Sequence, residues 1–201
     1  MKSLILVDIQ NDFLPGGALA VPRGDEVIPA ANALVEEFDC IVATQDWHPA
    51  GHESFASSHA ARRVGEVIDL HGLAQVLWPD HCVQGTRGAE LAGALDRSRI
   101  ERVFTKGESP TIDSYSGFYD NGRRRATGLA AWLRARGIDE VCVVGLATDY
   151  CVKATAIDAA REGLVTSVDL AACRGVELRP GDIGRACEEM REAGVLCIGT
   201  N

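Results

Sequence analysis

Four residues with reactive or charged side chains stand at the ends of apolar runs in the sequence, or one turn beyond. Asp8 ends the first run, Asp46 the second and Lys106 the third, and Cys151 follows the fourth by one turn. A thiol can attack a carbonyl carbon, a carboxylate can exchange the thiol proton, and a nearby ammonium favours the thiolate. Each of them alone could be the first exposed residue of a loop, but four at one edge would form a nucleophilic centre.

Cys151 lies in the stretch VVGLATDYCVKATAIDAA, residues 143–160, which begins as an apolar run and continues as a helical pattern. Thr148 or Asp149 is placed to cap that helix, which predicts Cys151 at its second or third position. Free N–H groups and the helix dipole at that end would stabilise a thiolate and could hold an oxyanion. The alternative is a small buried residue packed under a turn, since catalytic cysteines usually pair with histidine.

The histidines form a second group. All five lie in one long stretch rich in Gly, His and Ser, residues 47–87: His48, His52, His59, His71 and His81. Asp46 and His48 are two residues apart, so in extended chain both side chains can point the same way. One carboxylate with two or three imidazoles, those of His48 and His81 with His52 as the third candidate, suits Zn²⁺, Fe²⁺ or Mn²⁺, with positions left for water or substrate. His59 and His71 are expected only to cap or solvate the loop.

The elements that must position these residues follow from the hydrophobic pattern. Short apolar runs predict six strands at 4–8, 40–46, 102–107, 141–145, 164–169 and 195–199. Helical patterns lie between them at about 25–38, 88–96, 125–136, 149–162 and 182–193. This alternation predicts an α/β fold, a three-layer αβα sandwich with a mainly parallel six-stranded sheet. Ligands bind at the carboxyl ends of strands in such sheets, which is where the four reactive residues should meet.

Length and composition exclude several other classes of protein. The 201 residues suffice for one domain and are too few for two ordinary ones. The net charge of −9 argues against a nucleic-acid or anionic-membrane partner, and no apolar run approaches the roughly 20 residues of a membrane span. The N-terminal apolar run is expected to be a strand rather than a signal peptide. Seven scattered cysteines without a C-x-x-C pair fit a reduced, cytoplasmic setting.

Five stretches of the sequence together resemble one family. They are DIQNDFLPGGALAVPRGDEVIP, TQDWHPAGHESFAS, WPDHCVQGTRGAEL, TKGESPTIDSYSGFYDN and GLATDYCVKATAIDA. In this order, from Asp8 to about Ala160, they are similar to the nicotinamidases of the isochorismatase-like cysteine hydrolases. The resemblance implies one isochorismatase-like domain over residues 1–201, with a Rossmann-like topology and a metal-binding excursion at about 47–87.

The resemblance also implies a role for each matched residue. Its catalytic triad falls on Asp8, Lys106 and Cys151. Its metal ligands fall on Asp46, His48 and His81, with His52 as a further candidate. Its oxyanion hole falls on the N–H groups of Ala147 and Cys151, beside a cis peptide between Leu146 and Ala147. Its aromatic ring pocket falls on Phe13, Trp78 and Tyr115, for which ordinary core packing is the alternative.

The activity implied is hydrolysis of nicotinamide, or a related pyridine carboxamide, to the acid and ammonia through a thioester, with one divalent metal ion, in cytoplasmic NAD salvage. The isochorismatases proper lack the Asp-x-His pair, so its presence favours an amidase. Two alternatives remain: an amidase for another small amide, and a non-catalytic thiol or metal sensor. The sequence leaves the oligomeric state open, and a homo-oligomer is compatible with it.

Overall fold

The computed structural model describes residues 1–200, and a six-stranded parallel sheet forms its centre. The strands are β1 Lys2–Val7, β2 Cys40–Asp46, β3 Val67–Leu70, β4 Leu73–Val76, β5 Ile100–Lys106, β6 Glu140–Leu146, β7 Val165–Arg174 and β8 Leu196–Ile198. The sheet has the order β5-β2-β1-β6-β7-β8, and every neighbouring pair in it is parallel. The α/β fold predicted from the sequence is confirmed, including its Rossmann-like strand order.

Four helices flank the sheet: α1 Val27–Leu34, α2 Leu129–Ala135, α3 Lys153–Arg161 and α4 Asp182–Glu192. After β1 the chain adds β2 and then β5 on one side of β1. It then crosses to the other side of β1, where β6, β7 and β8 follow in order. Because crossover connections are right-handed, this reversal places α1 on one face and the other three helices on the opposite face. The central strands are covered on both sides, and β1 is buried from Ser3 to Val7.

The prediction of a helix at 88–96 is wrong. The chain there forms a single 3₁₀ turn, Arg87–Ala89, and then pairs with the segment that follows β1. The Asn11 N–H donates to the Glu90 carbonyl at 3.0 Å, and the Ala92 N–H donates to the Ile9 carbonyl at 2.8 Å. These bonds between segments replace the bonds that a helix would make within itself.

The excursion between β2 and β5 folds back on itself. Its strands β3 and β4 form an antiparallel hairpin that the sequence analysis did not predict. Two isolated bridges pair His48 with Val83 and Phe55 with Trp78. The excursion therefore returns His81, which is 33 residues beyond His48, to the end of β2. Within residues 1–200, every helix is too short or too polar to traverse a lipid bilayer.

Candidate active site and metal centre

The four reactive residues meet at the carboxyl edge of the sheet. The strand order reverses between β1 and β6, and the crevice at such a reversal is the usual ligand site of an open α/β sheet. Asp8 follows β1 directly, in a left-handed backbone conformation with φ of 49°. Asp46 and Lys106 are the last residues of β2 and β5, and these two strands pair so that the two residues are directly opposite each other.

The Lys106 ammonium connects the carboxylates and the thiol. Its Nζ lies 2.9 Å from Asp8 Oδ2 and 3.1 Å from Asp46 Oδ1. The same Nζ is 3.4 Å from Cys151 Sγ and donates to the Ser114 carbonyl at 2.8 Å. Asp8 Oδ1 accepts a further hydrogen bond of 2.6 Å from the Thr44 hydroxyl. All of these side chains are buried, so the ammonium is the positive charge that compensates the carboxylates around it.

Cys151 is not in the first turn of an α-helix, contrary to the sequence prediction. It lies in a wider, π-type turn, Thr148–Val152, and α3 begins only after that turn. The Asp149 side chain does not cap the turn. Its carboxylate accepts hydrogen bonds of 2.9 and 2.8 Å from the N–H groups of Val176 and Glu177. The peptide between Leu146 and Ala147, just before the turn, is cis.

Burial raises the pKa of the Cys151 thiol well above its usual value, Lys106 opposes that rise, and Asp8 adds to it. Burial therefore favours the neutral thiol, whereas the sequence prediction of a helix start favoured the thiolate. Burial also raises the pKa of the Asp8 carboxyl, again against the opposing effect of Lys106. A carboxylate with increased proton affinity beside a protonated thiol is suited to accept its proton.

Asp46, His48 and His81 form a buried cluster whose possible ligand atoms all lie within 4.8 Å of one another. His48 Nε2 is 3.1 Å and His81 Nε2 is 3.5 Å from Asp46 Oδ2. In each ring Nδ1 faces a carbonyl, that of Gly107 at 3.0 Å for His48 and that of Pro79 at 2.8 Å for His81. A carbonyl can only accept, so Nδ1 carries a proton and Nε2 is the nitrogen turned toward Asp46, the arrangement found in metal-binding histidines.

The cluster fits a divalent cation on a second ground. Among the described residues His48 Nε2 has no partner in hydrogen-bonding geometry, although Asp46 Oδ2 is 3.1 Å away and the side chain is fully buried. A buried polar atom without a partner is costly, and a metal ion is the partner that an imidazole lone pair beside a carboxylate would take.

His52 lies beside His48, with ring centroids 4.5 Å apart, but is outside the cluster. Its Nδ1 accepts the Ser54 N–H at 3.0 Å, and its Nε2 is 3.4 Å from the Ile112 carbonyl. Both ring nitrogens are thus engaged, so the contacts favour a packing role for His52, and its ligand role stays a prediction. His59 Nε2 contacts the Glu53 carbonyl, and His71 pairs with the Glu53 side chain at the surface.

A cavity opens in front of Cys151 and the cluster. The three aromatic residues anticipated from the sequence line it, together with the two oxyanion-hole candidates and two metal-ligand candidates: Phe13, Trp78, Tyr115, Ala147, Cys151, Asp46 and His81. The Trp78 indole N–H donates to the Tyr115 hydroxyl at 3.1 Å, which fixes these two rings relative to each other. The cavity therefore offers aromatic walls on the approach to the thiol.

The cavity is also lined by four residues that were not predicted from the sequence: Leu19, Asp113, Tyr150 and Val176. Tyr150 packs edge-on against Trp78, with ring centroids 4.8 Å apart. Its position directly before Cys151 was a signal that could have identified it. The other three lie in loops whose local sequence does not indicate that they reach the site.

Comparisons with known proteins agree with this geometry. The isochorismatase domain family matches residues 2–200. A nicotinamidase of Escherichia coli is 50% identical over 197 residues, covering 96% of this chain and 92% of that protein. The structure of the yeast nicotinamidase bound to the inhibitor nicotinaldehyde has a TM-score of 0.94 at 34% identity, covering all of both chains. A pyrazinamidase of Pyrococcus horikoshii in complex with zinc has a TM-score of 0.79 at 38% identity, covering 98% of each chain.

Proposed function

The chain belongs to the isochorismatase family, and from this premise we propose that it hydrolyses nicotinamide to nicotinate and ammonia. One observation carries the proposal: the Cys151 thiol and the Asp46, His48 and His81 cluster open into the same aromatic-walled cavity. A pyridine ring fits between aromatic side chains, and its ring nitrogen is a ligand for a cation while its carboxamide is a target for the thiol.

Cys151, Asp8 and Lys106 are proposed as the catalytic residues. The Cys151 sulfur attacks the amide carbon while Asp8 takes the thiol proton, and the carbonyl oxygen becomes an oxyanion held by the N–H groups of Ala147 and Cys151. Collapse of this intermediate breaks the C–N bond, and the proton on Asp8 goes to the departing ammonia. Asp8 then removes a proton from water, which cleaves the thioester, releases the acid and restores the thiol.

Asp46, His48 and His81 are proposed to hold one divalent metal ion, Zn²⁺, Fe²⁺ or Mn²⁺. When bound, the ion supplies an electrophilic site for a ring nitrogen. The zinc found with the Pyrococcus horikoshii pyrazinamidase supports this assignment, as does the orientation of both imidazole rings, whose Nε2 atoms face Asp46. Phe13, Trp78 and Tyr115 are proposed to hold the ring. The reaction belongs to NAD salvage, and we place it in the cytoplasm.

The test is an assay of ammonia release from nicotinamide. We expect Cys151→Ala to abolish turnover, because no other group in the cavity can form the thioester. Cys197→Ala, which removes a partly exposed thiol distant in the fold, is the matched control and should retain full activity. Mass spectrometry with a slow substrate should find the acyl adduct on Cys151. An adduct on Cys82, or turnover by Cys151→Ala, would refute the assignment.

A further inference from the structure

Asp113 is a buried carboxylate on the metal side of the cavity. It is 3% exposed and lies on the loop after β5, seven residues beyond Lys106. Its Oδ1 is 3.9 Å from His48 Nε2, the same atom that lacks a hydrogen-bond partner among the described residues. The Asp113 carboxylate therefore faces the His48 nitrogen that is proposed to bind the cation.

Asp113 is held in this orientation by neutral donors. Its Oδ2 accepts a hydrogen bond of 3.0 Å from the side-chain amide of Gln75, and its Oδ1 accepts one of 2.7 Å from the Ser114 N–H. Gln75 is a buried residue of strand β4, and its amide nitrogen also lies 2.7 Å from the Val76 carbonyl and 3.1 Å from the Tyr115 hydroxyl. The hairpin thus reaches over the site and fixes one carboxylate and one aromatic wall with a single amide.

Neutral donors do not compensate a buried negative charge. A carboxylate has about four acceptor positions, so two hydrogen bonds leave Asp113 able to accept more. A buried charge without an opposite charge nearby is strongly destabilising. Within residues 1–200 the basic side chain found within ion-pair distance of Asp113 is His48 alone, whose ring is neutral if its Nε2 binds metal.

The charges of the whole site point the same way. Three buried carboxylates, those of Asp8, Asp46 and Asp113, surround one buried ammonium, that of Lys106. The carboxylates thus outnumber the ammonium by two. One divalent cation would balance this excess.

We propose that Asp113 is a positioning residue of the cation site: it faces the bound cation with a second negative charge and with acceptor positions for its water ligands, and Gln75 holds it there. This inference rests on the proposed function, because it concerns the same cation. Outer-sphere carboxylates of this kind typically change metal affinity about 10- to 100-fold.

The test is direct titration of metal-depleted protein with Zn²⁺ and Mn²⁺ alone, by calorimetry and by competition with a fluorescent chelator. We expect Asp113→Asn to weaken cation binding roughly tenfold or more. Asp113→Glu keeps the charge and should bind more tightly than Asp113→Asn. Glu108→Gln is the matched control: it removes a carboxylate from the same loop, where Glu108 pairs with Arg125 at the surface, and should bind as wild type does.

Cation affinity in Asp113→Asn equal to that of wild type would overturn the inference. If Asp113→Asn does not fold, judged by circular dichroism, the decisive variant is Gln75→Leu, which keeps the charge but removes the amide. Weaker cation binding by Gln75→Leu supports the inference, and unchanged binding overturns it. Wild-type protein that binds no cation would instead refute the metal part of the proposed function, so the two failures are distinguishable.

Discussion

Lys106 has two effects at the residue scale, since its ammonium compensates Asp8 and Asp46 and also lowers the proton affinity of the thiol. Burial raises the pKa of Cys151, and Lys106 is the largest influence in the opposite direction. Removing the positive charge must therefore raise the pKa of Cys151 further. We predict that Lys106→Gln slows alkylation of Cys151 by iodoacetamide at pH 7 and moves the alkylation midpoint to higher pH.

Two variants make this measurement specific. Lys106→Arg keeps the charge and should keep the midpoint closer to wild type, while losing activity because the guanidinium is larger and planar. Lys153→Gln removes a lysine two residues from Cys151 in sequence, whose ammonium pairs with Glu189 near the surface, and should leave the midpoint unchanged. A midpoint in Lys106→Gln that matches wild type would remove Lys106 from the triad.

At the scale of elements, the end of β5 sets the orientation of a metal-ligand candidate. Gly107, directly after β5, has φ of +69°, and a Cβ there would lie 2.5 Å from His48 Cε1 and 2.7 Å from its Nδ1. We predict that Gly107→Ala displaces the imidazole and weakens cation binding on the order of tenfold, because its ligand atom moves. The left-handed backbone should also reduce the free energy of unfolding by about 1–2 kcal/mol.

Gly137 provides the control for that substitution. It ends α2 with nearly the same backbone angle, φ of +67°, but a Cβ there would meet no atom of residues 1–200 within 4 Å. Gly137→Ala should therefore lose comparable stability in urea denaturation while keeping wild-type cation affinity by calorimetry. Equal cation affinity in both variants would show that the contact between Gly107 and His48 does not orient the ring.

The same elements show how far sequence can predict this fold. The central strands β1, β2 and β6 were predicted to within two residues at each end, because a strand that is buried on both faces is a continuous apolar run. The 88–96 segment has a helical pattern, but its backbone bonds go to the chain after β1, and no local pattern records such a partner. The β3–β4 hairpin had a sequence signal that was not used, the dipeptide His71-Gly72 between two short runs. In the structure both residues have the positive φ that a two-residue hairpin turn requires.

The candidate site was likewise predictable from the sequence only in part. The rule that ligands bind at strand ends was enough to bring Asp8, Asp46, Lys106 and the thiol to one edge. The π-type turn around Cys151 was not predictable from its own residues. Its Asp149 carboxylate accepts hydrogen bonds from the N–H groups of Val176 and Glu177, which are distant in the sequence. Asp113 and Gln75 are 38 residues apart and meet only through the folded hairpin, so neither stretch alone indicates a shared role.

At the scale of the whole molecule, the cation cluster joins parts that are distant along the chain. Asp46 ends β2, His48 opens the excursion, and His81 returns near its end after the hairpin. Such a cluster exists only in the folded chain, so a cation that binds it stabilises the fold by mass action. Thermal unfolding should therefore report cation binding without any measurement of turnover.

We predict that adding Zn²⁺ or Mn²⁺ to chelator-treated protein raises the unfolding temperature in a concentration-dependent way. At free cation near 100 times Kd the linkage contributes about 2.7 kcal/mol, which corresponds to roughly 5–11 °C for a chain of this length. His81→Ala should abolish most of this shift, because it removes one of the cluster's two imidazoles. His71→Ala is the matched control, since it removes an imidazole that pairs with Glu53 at the surface, and it should show the full wild-type shift. Calorimetric scans of the three proteins, with and without cation, make the comparison. An equal shift in His81→Ala and wild type would mean that the cation binds elsewhere on the molecule.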